Sequence, residues 1–120
     1  MNRPAPLSSQ DQLDHAVQRS HERPVFVFKH SAVCPVSNTA DREFEDFVAE
    51  ASDDAADFHR LVIQDARPVS NRVVERTGVR HESPQALLFV DGHVVWHASH
   101  GSITRSSLRE ALREASGGGA

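Results

Sequence analysis

A lone cysteine, Cys34, is the residue of this chain with the clearest potential for chemistry. It follows the apolar run Val25-Phe26-Val27-Phe28 and directly precedes Pro35, where an amphipathic helical pattern begins. A cysteine at a helix N-terminus meets unpaired backbone N–H groups and the positive end of the helix dipole, and both favour the thiolate. We therefore predict that Cys34 is an exposed nucleophile. The alternative is a small buried hydrophobic residue without reactivity.

The residues that follow the cysteine determine the type of reaction. Pro35 suits the first helical turn because it has no N–H to leave unpaired, and Val36 belongs to the same Cys-Pro-Val-Ser motif. Ser37 follows one helical turn after Cys34, so its hydroxyl is expected near the thiol, where it could donate a hydrogen bond. A serine cannot resolve a mixed disulfide as a second cysteine would. The motif therefore predicts a monothiol reaction, in which Cys34 takes over a small thiol and an outside reductant releases it.

Length and composition limit the class of protein. The chain has 120 residues and a formal net charge of −4, which argues against general nucleic-acid binding. No internal disulfide is possible with one cysteine, and no apolar segment is long enough for a signal peptide or a membrane span. We expect a cytoplasmic protein with a disordered lead-in over residues 1–8, a single domain over 9–116 and a flexible tail over 117–120.

The periodicity of apolar residues predicts elements in the order α-β-α-β-α-β-β-α. They form an α/β fold with a four-stranded mixed sheet and helices on both faces. Ser70 is a plausible N-cap of the third helix, Gly78 ends that helix, and Ser107 to Glu110 has capping-box spacing in the fourth. The predicted helices span 9–22, 35–52, 70–77 and from 104 or 107 onward, and the predicted strands span 25–30, 58–64, 86–90 and 93–97.

This order of elements resembles the thioredoxin fold. The motif from Cys34 to Ser37 looks like the C-P-x-C active site of that fold with its second cysteine replaced, and Pro84 precedes the third strand, where the fold keeps a cis-proline. More narrowly, the chain is similar to the monothiol bacilliredoxin family, the YtxJ-like bacillithiol-system proteins. The blocks that carry this similarity are F-K-H-S at 28–31, R-P-V-S-N at 67–71, G-V-R-H-E-S-P-Q at 78–85 and V-W-H-A-S-H at 95–100.

The resemblance implies a substrate, and the positions of a few residues suggest how it is bound. The small thiol would be bacillithiol, a co-substrate with no cofactor bound, and the partners would be bacillithiolated client proteins. A cis Pro84 would turn the backbone of Ser83 toward Cys34, where it could pair with the extended chain that carries a bound disulfide; the alternative is an ordinary trans proline that opens an edge strand. Arg67, at the carboxyl end of the second predicted strand, could meet the carboxylates of bacillithiol through bidentate hydrogen bonds, and the alternative is a surface arginine without a ligand. The spacing of residues alone does not distinguish bacillithiol from glutathione.

Other functions remain open from the sequence alone. A peroxide-reducing thiol protein is disfavoured because no Thr-x-x-Cys arrangement precedes Cys34. An iron–sulfur carrier of the same fold and a non-catalytic binding module with an inert cysteine are the alternatives. His93, His97 and His100 suggest a metal site, but no cysteine or paired carboxylate joins them at a familiar spacing, so none is predicted.

Overall fold

A computed structural model describes residues 2–117 and contains one mixed sheet between two layers of helices. Its strands are β1 (Ala5–Pro6), β2 (Val25–His30), β3 (Asp57–Val62), β4 (Gln85–Val90) and β5 (His93–Ser99). Its helices are α1 (Gln10–Arg19), α2 (Pro35–Glu50), α3 (Arg67–Thr77) and α4 (Arg105–Ala115), with a short 3-10 helix at His100–Ser102. The strand order is β1-β3-β2-β4-β5.

The central strand β2 decides which side chains lie on each face of the sheet. It pairs in parallel with β3 and antiparallel with β4. Val25 and Val27 pack into the core beneath α1 and α3, whereas Phe26 and Phe28 pack into the core beneath α2 and α4. Both faces of β2 are therefore covered, which explains its uninterrupted apolar run. The same alternation continues to the end of the strand.

The prediction of a disordered lead-in is wrong for residues 5–8. Ala5–Pro6 forms β1 and pairs in parallel with β3, and Leu7 N donates to Arg60 O over 2.8 Å. Leu7 is buried in the core beneath α1 and α3, so its burial holds the segment on the sheet. Pro6 is tolerated because β1 is an edge strand. The sheet consequently has five strands instead of the predicted four, while the order of the other elements is as predicted.

The third helix begins earlier than predicted. Ala66 is its N-cap and the helix starts at Arg67, with Pro68 in the first turn. Ser70 is buried within the helix and is not its cap, so that prediction is wrong. Gly78 ends the helix with a left-handed φ of 73°, as predicted. The earlier start matters for function because it places Arg67 at the N-terminus of α3.

The start of the fourth helix needs a further correction. The capping box of α4 is formed by Thr104 and Ser107, not by Ser107 and Glu110. Of the predicted tail, Gly117 N donates to Glu114 O, and residues 118–120 lie outside the described residues. None of the helices within 2–117 is long and apolar enough to cross a membrane.

Candidate functional site

Cys34 lies where β2 passes into α2, at the predicted corner. It is the N-cap of α2, with extended φ and ψ of −104° and 119°, and Pro35 opens the helix. The Cys34 carbonyl accepts hydrogen bonds from Ser37 N at 3.0 Å and Asn38 N at 3.2 Å. The thiol is half-buried and forms no hydrogen bond with any residue between 2 and 117. The first turn of α2 carries no acidic side chain, so no local carboxylate opposes a thiolate there.

Ser37 does not form the expected hydrogen bond with the thiol. Its side chain is fully buried, and its Oγ accepts from Ser31 N at 2.9 Å and lies 2.8 Å from His30 Nδ1. A buried backbone N–H needs an acceptor, and Ser37 supplies it for Ser31. Ser37 therefore holds the loop that carries Cys34.

A second anchor for this loop comes from the neighbouring strand. Gln64, just beyond β3, accepts from Ala32 N at 3.0 Å and donates from Nε2 to Ser31 Oγ at 3.0 Å. Val33 is 79% exposed in the same loop. The two anchors leave Cys34 and Val33 as the part of the loop that a partner can approach.

The predicted cis-proline is present at the same edge of the sheet. The Ser83-Pro84 peptide bond is cis. Because Lys29 pairs with Gln85 across β2 and β4, Pro84 lies beside the end of β2, from which the Cys34 loop departs. Ser83 Oγ is buried and has no hydrogen-bond partner within the described chain. Ser83 and Pro84 therefore border the carboxyl edge of the sheet together with Cys34.

Arg67 lies at the same edge because α3 follows the carboxyl end of β3, the neighbour of β2. Its side chain is exposed and forms no ion pair with an acidic residue in the range 2–117. Its positive charge contributes to lowering the pKa of His81, which places the two side chains near each other. The guanidinium is thus free to meet an anion.

A buried cation that was not predicted from the sequence lies at this edge. Lys29, in β2, has its Nζ 3.3 Å from Ser70 O and 3.3 Å from His81 Nδ1. Burial lowers the pKa of Lys29 to about 8. Partial burial of the ring lowers the pKa of His81, and the charge of Lys29 lowers it further, while Glu82 acts in the opposite direction. The signal for this site is a lysine at the end of an otherwise apolar central strand.

The histidines of β5 and beyond contribute no metal centre within the described part of the chain. No group of three or more His, Cys, Asp or Glu side chains in residues 2–117 could hold a metal ion. His100 instead lies 3.7 Å from a carboxylate oxygen of Glu82 through its Nε2.

Solved structures share this fold. A structure described as a proposed oxidoreductase with a thioredoxin fold is 41% identical, covers 90% of this chain and 92% of its own, and has a TM-score of 0.78. The thioredoxin of Malassezia sympodialis (Mala s 13) is 17% identical, covers 97% and 93%, and also has a TM-score of 0.78. Fasciola hepatica thioredoxin is 14% identical, covers 92% and 97%, and has a TM-score of 0.74. The fold and the cysteine at its helix N-terminus define a thioredoxin-like oxidoreductase.

A family model gives a more specific assignment than the shared fold. Residues 5–108 match the family model described as the monothiol bacilliredoxin BrxC. The chain therefore belongs to the monothiol bacilliredoxin family, as the sequence blocks around Cys34 and Pro84 predicted.

Proposed function

We propose that this protein removes bacillithiol from mixed disulfides with client proteins, and that Cys34 is the nucleophile. The observation that carries the proposal is a lone cysteine at the N-cap of α2, with Ser37 in the place of a second thiol, in a chain of the monothiol bacilliredoxin family. The proposal includes a cytoplasmic location, because the reaction depends on a pool of reduced thiols.

The proposed reaction is a thiol-disulfide exchange. The Cys34 thiolate attacks the bacillithiol sulfur of the client disulfide, a bond forms between these two sulfurs, and the client sulfur leaves as a thiolate. The number of disulfides is unchanged, so the step needs no electron acceptor. A thiol from outside the protein then attacks the bacillithiol sulfur attached to Cys34 and regenerates the Cys34 thiolate. Ser37 cannot perform this second step because it has no sulfur.

The surroundings of Cys34 supply the proposed binding groups. Ser83 and Pro84 border the same sheet edge and would receive the extended backbone of the disulfide. Arg67, exposed at the start of α3, would bind a carboxylate of bacillithiol with a bidentate hydrogen bond. Bacillithiol is then a co-substrate and the client protein is the partner.

Intact-mass measurements test this function. Wild type and Cys34→Ser are incubated with oxidised bacillithiol and, in parallel, with oxidised glutathione. We expect one bacillithiol adduct per wild-type chain and none on the variant. A wild-type chain that takes up neither thiol contradicts the proposal, and an adduct with glutathione alone contradicts bacillithiol as the substrate. Release of bacillithiol from a labelled client protein by wild type, but not by Cys34→Ser, provides the second measurement.

A further inference from the structure

Lys29 is a buried cation without an anionic partner in residues 2–117. It is 0% exposed, and its Nζ meets only the uncharged Ser70 O and His81 Nδ1. Gln85, its partner across the β2–β4 pair, is also buried, and its Oε1 lacks a hydrogen bond within the described chain. A buried charge without a counter-charge costs free energy, so packing alone does not explain a lysine here.

The absence of any other lysine from the sequence reinforces this point. Lys29 is the only lysine in the sequence, and every other basic side chain that titrates above neutrality is an arginine. The single lysine therefore occupies a buried position, whereas lysine is ordinarily a surface residue. A compact ammonium with three donors suits a confined site better than a planar guanidinium.

The contact between Lys29 and His81 determines the protonation of the imidazole. An ammonium donates hydrogen bonds and cannot accept one, so His81 Nδ1, 3.3 Å from Lys29 Nζ, acts as the acceptor. The neutral ring then carries its proton on Nε2. The positive charge on one side of the ring strengthens the Nε2–H group as a donor on the other. Because His81 is exposed, this donor is available to a ligand.

We infer that Lys29 and His81 form a carboxylate-binding pair for the small thiol that Cys34 receives. His81 donates from Nε2 to the carboxylate, and Lys29 is a positioning residue that fixes the imidazole tautomer and supplies positive charge. This inference rests on the proposed function, and it deepens it by naming where the anionic part of the co-substrate binds.

The position and charge of the pair support this ligand. Lys29 lies at the carboxyl end of β2, five residues before Cys34, and the β2–β4 register brings the chain after His81 to the same edge. Arg67 adds a second positive charge near His81, and Glu82 is within 3.7 Å of His100. A carboxylate is an acceptor-only anion and would neutralise this cluster. The small thiol is common to every substrate, whereas acidic side chains of clients vary, so a fixed pair favours the small thiol.

The test compares two disulfides that differ in charge. Rate constants for the attack of Cys34 are measured with oxidised bacillithiol, which carries carboxylates, and with 2-hydroxyethyl disulfide, which carries none. The ratio of the two constants is determined for wild type, Lys29→Met, His81→Phe and His81→Gln. The matched control is Arg80→Gln, which removes an exposed positive charge from the neighbouring position.

We expect the ratio to fall about tenfold in Lys29→Met and His81→Phe, the loss typical of one charge-assisted hydrogen bond. His81→Gln, which keeps an N–H donor, should recover most of the ratio, and Arg80→Gln should change it less than about twofold. An unchanged ratio in both Lys29→Met and His81→Phe overturns the inference, and so does an equal loss with both disulfides. Reaction of wild-type Cys34 with oxidised bacillithiol still supports the proposed function in either case.

Nitrogen NMR of the His81 ring gives an independent measurement. We expect the Nε2–H tautomer in wild type and a mixture of tautomers in Lys29→Met. A wild-type ring protonated on Nδ1 contradicts the inference. If Lys29→Met fails to fold, the exposed His81 variants decide the outcome through the rate ratio.

Discussion

The last two residues of β2, Lys29 and His30, project to opposite faces of the sheet and meet very different surroundings. On the α2 side, His30 and Ser37 satisfy each other over 2.8 Å, and Ser37 also accepts from Ser31 N. On the α3 side, Lys29 keeps a positive charge among uncharged neighbours. On the α2 side the buried hydroxyl of Ser37 has hydrogen-bond partners, whereas on the α3 side the buried ammonium of Lys29 has no counter-charge within the described residues.

The two sides of this sheet edge therefore differ in function: the α2 side stabilises the fold, and the α3 side binds a ligand in the proposal above. The hydrogen bonds of the buried Ser37 hydroxyl stabilise the loop that carries Cys34. A buried lysine without a carboxylate lowers the stability of the fold, so its benefit lies in an interaction that the isolated chain does not make. The three predictions below test this contrast, from the largest expected effect to the smallest.

The buried Lys29 on the α3 side should make the free energy of unfolding depend on pH in the alkaline range. Burial lowers the folded-state pKa of Lys29 to about 8, whereas a lysine exposed to water has an ordinary pKa of 10.5. Below pH 8 the lysine is protonated in both states; above it the folded protein releases a proton that the unfolded chain still binds. The free energy of unfolding should therefore rise with pH from about 8 to 10.5, by roughly 3 kcal/mol in total.

Denaturant titrations in a Cys34→Ser background measure this rise without a contribution from the thiol. Lys29→Met in the same background is the control and should lack the rise. The chain contains no tyrosine and no other lysine, so few other side chains titrate in this range. A rise of equal size in Lys29→Met would show that Lys29 is not the buried cation responsible.

Removal of the Ser37 hydroxyl on the α2 side should lower the free energy of unfolding without removing a formal charge. Ser37→Ala leaves Ser31 N and His30 Nδ1 without their shared partner, and one of these groups is a buried backbone donor. The free energy of unfolding should fall by about 1–3 kcal/mol at neutral pH. Asn38→Ala, on the exposed side of the same helical turn, is the matched control and should cost less than about 0.5 kcal/mol. A Ser37→Ala protein as stable as the control would refute the structural function of this hydroxyl.

The smallest effect is expected at the second anchor of the loop. Gln64→Ala removes the hydrogen bonds to Ala32 N and Ser31 Oγ, but Gln64 is exposed and water can replace part of them. We expect a loss of about 0.5–1 kcal/mol and faster hydrogen exchange of the Ala32 amide. Asp65→Ala provides a neighbouring exposed control with no such contact. If hydrogen exchange at Ala32 is unchanged in Gln64→Ala, then Ser37 anchors the loop and Gln64 does not.

Local patterns predicted the elements that carry the reaction. The uninterrupted apolar run gave β2 its bounds, because a strand covered on both faces shows its burial directly in the sequence. Gly78 marked the end of α3 because only a residue tolerant of positive φ suits that position. Ser70 was wrongly predicted as a cap, since a serine near a helix start has the same local signature when it is buried within the helix.

Such local patterns did not predict the long-range contacts. The strand β1 forms because β3 offers an open edge and Leu7 fills a gap in the core, neither of which is visible around Pro6 itself. The partner of the Ser37 hydroxyl also depended on the loop conformation, which turns Ser31 N toward it. In both cases the deciding neighbour is supplied by another part of the fold.

The sequence by itself determined a lone thiol, Cys34, at the start of a helix, the serine in place of a second thiol, and the monothiol bacilliredoxin family. These features are local in the chain, and the chemistry of thiols and helix ends follows from them. Only the tertiary structure decided that Ser37 turns to the loop and that Lys29 meets His81, 52 positions away. Strand pairing and helix packing create these contacts, because they bring together side chains whose separation in the chain carries no periodic signal.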